Sequence, residues 1–289
     1  ADDFEDATAY GWSATAPPFD WAELIANKNR EIDRLNKVYI RILRENGVDI
    51  LEARARIGDP HTIEVGDRTV TAKNILVATG SWPEMPDIPG IGHAITSNEA
   101  LELESLPERM VIVGGGYIAV EFAGIFNSLG VHVTEVVRAG TILRGFDEDM
   151  RVALAEEMVK RGIDLLCRSV VRSIEKTEGG TFSLRLAHGD LMETGLVMYA
   201  TGRAPNIKGL GLEEAGVEIN DKGAIAVDDY SRTSVPHIYA VGDVTGRSNL
   251  TPVAIAEGAA VAQTVFNDNP TTMDYSNIPT AVFSQPPLS

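Results

Sequence analysis

The stretch Val111–Gly124, VIVGGGYIAVEFAG, sets the tightest limit on what this chain folds into. Apolar residues, three glycines and a helix-prone run spell a strand, a tight turn and a helix start. Gly114 permits the turn, Gly116 lets a backbone approach a phosphate, and Ala119 lets the helix pack close to the strand. The helix beginning near Tyr117 would point its free N–H groups and positive dipole end at that anion. Strand and helix alternate from Arg109 to about Ile163, a βαβ pattern that requires a parallel sheet.

The next strand, VHVTEVVR (131–138), ends where the adenosine ribose of a dinucleotide would lie. An acidic residue at that tip would favour NAD. The tip instead holds Val137 and Arg138, with Arg144 six residues on. Two guanidiniums suit a 2′-phosphate, through charge-assisted and often bidentate bonds. At about 1.5–3 kcal/mol each, they would favour NADP over NAD by ~10²–10⁴-fold before desolvation. Glu135 is the residue that speaks for NAD, but strand alternation does not put it at the ribose.

Around this unit the chain reads as more α/β structure. Residues 1–19 look like loop, acidic and then Pro17-Pro18. Asp20 is a helix N-cap with Glu23 as its capping-box partner. Leu24, Ile25, Ile32, Leu35, Tyr39, Ile42 and Leu43 recur at helical spacing, predicting a long helix with one buried face that ends at Gly47. Short β-like runs follow at 48–54, 61–65, 68–72 and 74–80. The three prolines of SWPEMPDIPG (81–90) mark a connection between domains. An internal echo, ILVATGSWP (75–83) and VMYATGRAP (197–205), fits two similar nucleotide-binding units or a common strand-to-loop stop. Residues 251–266 read as an Ala-rich packed helix, and IPTAVFSQPPLS (278–289) begins a strand.

The 25 basic and 42 acidic residues leave a net charge of −17, which argues against nucleic acid and anionic membranes as partners. No stretch approaches the ~20 apolar residues of a bilayer span, and no secretory signal is expected. The single cysteine, Cys167, allows no intrachain disulfide and no cysteine-rich metal site, and fits a reducing, cytoplasmic compartment. Cys167 in IDLLCRS reads as a buried strand residue. The five histidines show no metal-ligand spacing, so no metal is expected.

The motifs GGGYIAVEFAGIFN, LRGFDED, ATGRAPN, TSVPHIYAVGDVT, NLTPVAIAEG and FSQPP, with FDWAELIANKN before them, resemble the pyridine nucleotide–disulfide oxidoreductases, and within them the glutathione reductases. The likeness runs along essentially all 289 residues. It implies two Rossmann-like domains. A discontinuous FAD-type domain would span 1–80 and 206–276, an NADPH domain 81–205, and residues 277–289 would begin an interface domain. It also implies that NADPH reduces FAD, FAD a redox disulfide, and that disulfide glutathione disulfide. Tyr117 would be an aromatic gate over the flavin, and Glu121 would complete the nicotinamide pocket. Arg138 and Arg144 would clamp the 2′-phosphate, with Arg203 along the NADPH site. Thr79 and Gly80 close the first echo strand and Gly242 precedes Asp243, on the cofactor side. Asp243 would bind the ribityl chain, and the Thr251 N–H would sit at the pyrimidine edge of the flavin. Tyr39 would line the glutathione site, or simply occupy an apolar position of its helix.

The resemblance implies that a first glycine fingerprint and the redox cysteines precede residue 1. A His–Glu acid/base pair in an interface domain would follow Ser289, and the intact enzyme would be a homodimer. The expectation is therefore a fragment or processed chain, inactive alone, whose parent reduces glutathione disulfide. The alternatives are an NADPH-binding module without catalysis, or a relative acting on trypanothione, dihydrolipoamide or mercuric ion. The Arg138/Arg144 pair speaks against dihydrolipoamide.

Overall fold

A computed structural model of the chain describes residues 2–13 and 18–289. Helices α1 (Asp2–Ala9) and α2 (Trp21–Glu45) open it. Strands β1 (Ala55–Asp59), β2 (Thr62–Val65), β3 (Arg68–Thr71), β4 (Ile75–Val77) and β5 (Ser81–Pro83) follow, then the short helix α3 (Ser97–Ala100). The βαβ region comprises β6 (Arg109–Val113), α4 (Tyr117–Ser128), β7 (His132–Val137), α5 (Glu148–Lys160) and β8 (Asp164–Cys167). Beyond it run β9 (Val171–Lys176), β10 (Phe182–Leu186), β11 (Leu191–Thr194), β12 (Leu196–Tyr199), β13 (Arg203–Pro205), β14 (Ile238–Ala240) and α6 (Thr251–Phe266).

The chain divides into two compact units. The first gathers the N-terminal segment up to Val38, Pro83–Gly202 and Pro279–Ser289; the second gathers Tyr39–Trp82 and Arg203–Ile278. At the centre of the first is a parallel sheet of order β12-β6-β7-β8. Alternation along β6 sends Met110 and Ile112 to one face and Val111 and Val113 to the other. The first face packs with Ala119, Ala123 and Phe126 of α4 and Leu154 and Met158 of α5. The other packs with Ile174 and Leu184 of the antiparallel sheet β11-β10-β9. Packed on both faces, β6 and β12 are apolar runs, Met110–Val113 and Leu196–Tyr199, as strands inside a two-sided parallel sheet are.

Glu135 breaks that rule. It is fully buried on β7, and neither carboxylate oxygen has a hydrogen-bond partner. Desolvation pushes its pKa up to about 8, so at neutral pH it is an uncharged member of the core.

In the second unit β1-β2-β3 form an antiparallel meander and β4 pairs in parallel with β14. Ile57, Ile75, Val77, Ile225, Ile238 and Val244 share one core, and Val261 of α6 packs on Tyr239 and Val241.

Four local readings need correction. Residues 2–9 are helical rather than loop; the Ala14–Pro17 part of that expected loop lies outside the described residues. Helix α2 has the expected cap, since the Asp20 carboxylate accepts the Glu23 N–H at 3.1 Å. It also ends as expected: Gly47 takes φ 72°, and Gly47 and Val48 donate to Arg44 and Leu43. Its apolar stripe, however, is largely bare. Trp21 is buried and donates its indole N–H to Leu103 O at 2.7 Å, and Ile25 packs beside it, but Leu24, Ile32, Tyr39, Ile42 and Leu43 are exposed. Helical periodicity reports an apolar face, not what covers it. The first β run begins at Ala55, after the expected 48–54 segment. Residues 278–289 form a hook rather than a strand, closed by paired backbone bonds between Val282 and Leu288 and anchored by fully buried Val282.

Candidate functional site

The glycine turn leaves β6 and enters α4. Gly114 sits at φ 150°, and a Cβ there would lie 2.4 Å from Ala200 O, so a side chain is excluded by backbone. A Cβ on Gly115 would meet Val137 at 2.7 Å. Gly116 differs: a Cβ there would meet nothing within 4 Å. The protein does not need glycine at 116 for its own packing, and the space in front of that backbone is open. Gly116 is the N-cap of α4 and supplies no side-chain cap, and a helix N-terminus of this kind suits an anion. Ala119 is fully buried against β6, as close helix–strand packing requires.

Arg138 follows the tip of β7 and Arg144 lies in the loop beyond. Both are exposed, and neither side chain makes an ion pair or hydrogen bond among the described residues. That loop is tied to the glycine turn by Leu143 N–H to Gly115 O at 2.6 Å. Two exposed guanidiniums therefore follow β7 at the end of the sheet that carries the turn. An uncapped helix start, an open Gly116 and these two cations fit a phosphorylated dinucleotide.

The second unit carries a different cluster. Val77 ends β4, Gly80 turns at φ 70°, and Thr79 Oγ donates to Asn206 O at 2.9 Å. Ser81 and Arg203, the residues that follow Ala-Thr-Gly in the two echo segments, meet here. Arg203 Nε–H donates to Ser81 Oγ at 2.8 Å and Nη2 to Ser81 O at 2.9 Å. Ser81 Oγ–H donates to Asp243 Oδ2 at 2.6 Å. The structure thus groups Arg203 with Ser81 and Asp243. Gly242, at φ 74°, donates its N–H to buried Glu257 at 2.6 Å. Glu257 also accepts from the Tyr275 hydroxyl and pairs with Arg247 at 3.2 Å. Arg247 lies over the Tyr275 ring at 5.0 Å and donates to Ser231 Oγ at 2.9 Å. Burial and the bond to Glu257 raise the Tyr275 pKa well above the usual phenol range.

Ser81, Glu257, Arg247 and Tyr275 were not identified from the sequence. The echo pointed at Ser81 through its match with Arg203. Glu257 left a different signal, a carboxylate on the apolar stripe of a helix.

Tyr117 opens α4, 40% exposed. Glu121, one turn on and half-buried, accepts the Phe283 N–H at 2.9 Å, so the 279–289 hook engages its carboxylate. Thr251 is the first residue of α6; Leu250, the N-cap, gives no side-chain cap, and no acid occupies the first turn. Such an end holds negative charge well. Tyr39 is 64% exposed on α2. Cys167 ends β8 half-buried, and burial raises its thiol pKa, which disfavours the reactive thiolate. No helix among the described residues is long and apolar enough to cross a membrane.

Residues 5–258 match the sequence pattern of the pyridine nucleotide-disulphide oxidoreductases. Similar relatives include a glutathione reductase of Burkholderia cepacia, 50% identical over 98% of this chain and 63% of the relative. The chloroplastic/mitochondrial glutathione reductase of Pisum sativum is 48% identical over 99% of this chain and 52% of its own length. A trypanothione reductase of Trypanosoma congolense is 42% identical, over 99% and 61%. The chain thus spans roughly half to two thirds of the relatives it matches. Among solved structures, a copper(II) complex of the HOCl-induced flavoprotein disulfide reductase RclA from Escherichia coli superposes with a TM-score of 0.87 at 28% identity, covering 93% of this chain and 62% of that one. With a parallel sheet, a glycine turn and these likenesses along nearly its whole length, the chain belongs to the pyridine nucleotide–disulphide oxidoreductase family.

Proposed function

We propose that this chain is the nucleotide-binding core of an FAD-dependent NADPH:glutathione-disulfide oxidoreductase. The observation that carries the reading is 48–50% identity with two glutathione reductases along nearly all of the chain. The two free guanidiniums beside the open glycine turn support NADPH. The braced Gly242–Asp243 turn and the uncapped start of α6 support a flavin.

The residues divide between the two cofactors. Gly114, Gly116 and Ala119 shape the pyrophosphate turn, and Arg138 and Arg144 hold the 2′-phosphate. Thr79 and Gly80 hold the first echo loop in place. Gly242 and Asp243 present a carboxylate to the ribityl chain; its other oxygen accepts no further hydrogen bond among the described residues. Arg203 acts through Ser81, orienting Asp243 from behind. Thr251 offers its helix N-terminus to negative charge on the flavin. Tyr117 and Glu121 bound the nicotinamide pocket, and Tyr39 lies on the glutathione side. When bound, the nicotinamide would supply a hydride and the flavin would pass its electrons to a disulfide.

A redox disulfide needs two cysteines and this sequence has one. The chain alone is accordingly inactive, and activity belongs to a longer, homodimeric and cytoplasmic parent. Likeness to a trypanothione reductase supports a second reading, with trypanothione disulfide as substrate. NADPH oxidation by the parent protein separates them. Faster turnover with glutathione disulfide is expected. Preference for trypanothione disulfide would favour the second reading, and turnover with neither would defeat both.

A further inference from the structure

We propose that Arg168 is a third guanidinium of the 2′-phosphate pocket and sets nucleotide preference together with Arg138 and Arg144. This rests on the NADPH reading above. In the parallel pairing of β7 and β8, Val137 stands opposite Cys167. Arg138 and Arg168 are therefore the next residues on adjacent strands, at the end of the sheet that carries the glycine turn. The backbone of Arg168 is fixed to the arginine loop: its N–H donates to Ala139 O at 2.9 Å and the next N–H, of Ser169, to Val137 O at 3.1 Å. Its φ of 55° turns the chain out of the strand at that point.

The side chain then folds back over the loop. Its Nε and Nη2 both lie 3.7 Å from where a Cβ on Gly140 would stand. The guanidinium is thus held beside Gly140, between Arg138 and Arg144 in the chain. It is exposed and makes no ion pair or hydrogen bond among the described residues. In a chain of net charge −17, Arg168 thus brings a third exposed guanidinium to the loop that carries Arg138 and Arg144. Their mutual repulsion is relieved when they share one anion. A dianionic phosphate has three terminal oxygens and can accept from all three forks.

The test is titration of the purified chain with NADPH and NADH at low salt. Arg168→Ala should weaken NADPH roughly 5- to 10-fold while leaving NADH within about 2-fold. Arg168→Lys should recover part of the loss, and adenosine 2′,5′-bisphosphate should compete less well with the Ala variant. Equal weakening of both nucleotides, or no change in either, overturns the inference. Arg138→Ala, run alongside, separates the two levels. If it lowers the NADPH/NADH ratio and Arg168→Ala does not, the NADPH reading stands and this inference fails. If neither variant shifts the ratio, both fail.

Discussion

The two glycine turns of this molecule are prepared in opposite ways. At Gly114–Ala119 the α4 N-terminus has no side-chain cap, Gly116 faces empty space, and the Arg138 and Arg144 side chains have no partner among the described residues. At Gly242–Asp243 the groups are already engaged: the Gly242 N–H by Glu257, the Asp243 carboxylate by Ser81, and Ser81 by Arg203. An open turn suits a ligand that arrives and leaves, because its polar groups are satisfied by water in between. A braced turn suits a ligand held continuously, because the geometry is set beforehand. The contrast fits the proposed roles, a diffusible NADPH at the first turn and a resident flavin at the second.

Breaking the brace should have the largest effect. Glu257→Ala would leave the Arg247 guanidinium without its buried carboxylate and the Gly242 N–H without an acceptor. A loss of about 3–5 kcal/mol is expected, read as a fall in the urea midpoint; an unchanged midpoint would show that the cluster is not structural. The core carboxyl of the open unit comes next. Glu135 has a folded pKa of about 8, against 4.5 for a solvated glutamate. The folded state therefore binds the proton more tightly, so stability is full below about pH 4.5 and falls as pH rises through about 8. Glu135→Leu should flatten that slope and raise stability by about 2–4 kcal/mol at pH 8.5. A variant whose melting temperature keeps the wild-type pH dependence would place the titration elsewhere.

Opening the phosphate site further sharpens the comparison at lower cost to the fold. The double change Arg138→Ala/Arg144→Ala should lower the NADPH/NADH preference by ~10²-fold with little change in melting temperature. Gly116→Val should weaken both nucleotides about 10-fold and again spare stability, because nothing in the protein opposes a side chain there. A large stability loss would mean that Gly116 serves the fold instead. The smallest effect is expected at the start of α2, where Asp20→Ala removes an exposed cap worth about 1 kcal/mol.

The open turn was legible in the sequence because its requirements are local. Three glycines, a βαβ rhythm and two arginines after a strand all fall within 36 residues, from Arg109 to Arg144. The brace was not, because its members are far apart: Ser81 meets Asp243 across 162 positions, and Tyr275 meets Glu257 across 18. No spacing rule links such residues, and the Ala-Thr-Gly echo gave only one end of the chain of bonds. Glu135 shows another limit. Strand alternation turned it from the ribose, but only the packing on both faces of the sheet reveals an uncharged core carboxyl. Helix α2 shows the converse, where periodicity found the helix and its apolar face, while the structure leaves most of that face exposed.

The central claim is that the open glycine turn holds a dinucleotide by its pyrophosphate while Arg138 and Arg144 hold its 2′-phosphate. Calorimetric titration of the purified chain with NADPH and with NADH under identical salt tests it most directly. The account predicts NADPH binding at least ~10-fold tighter, with a preference that fades as ionic strength rises. Equal affinities, or tighter binding of NADH, would contradict it.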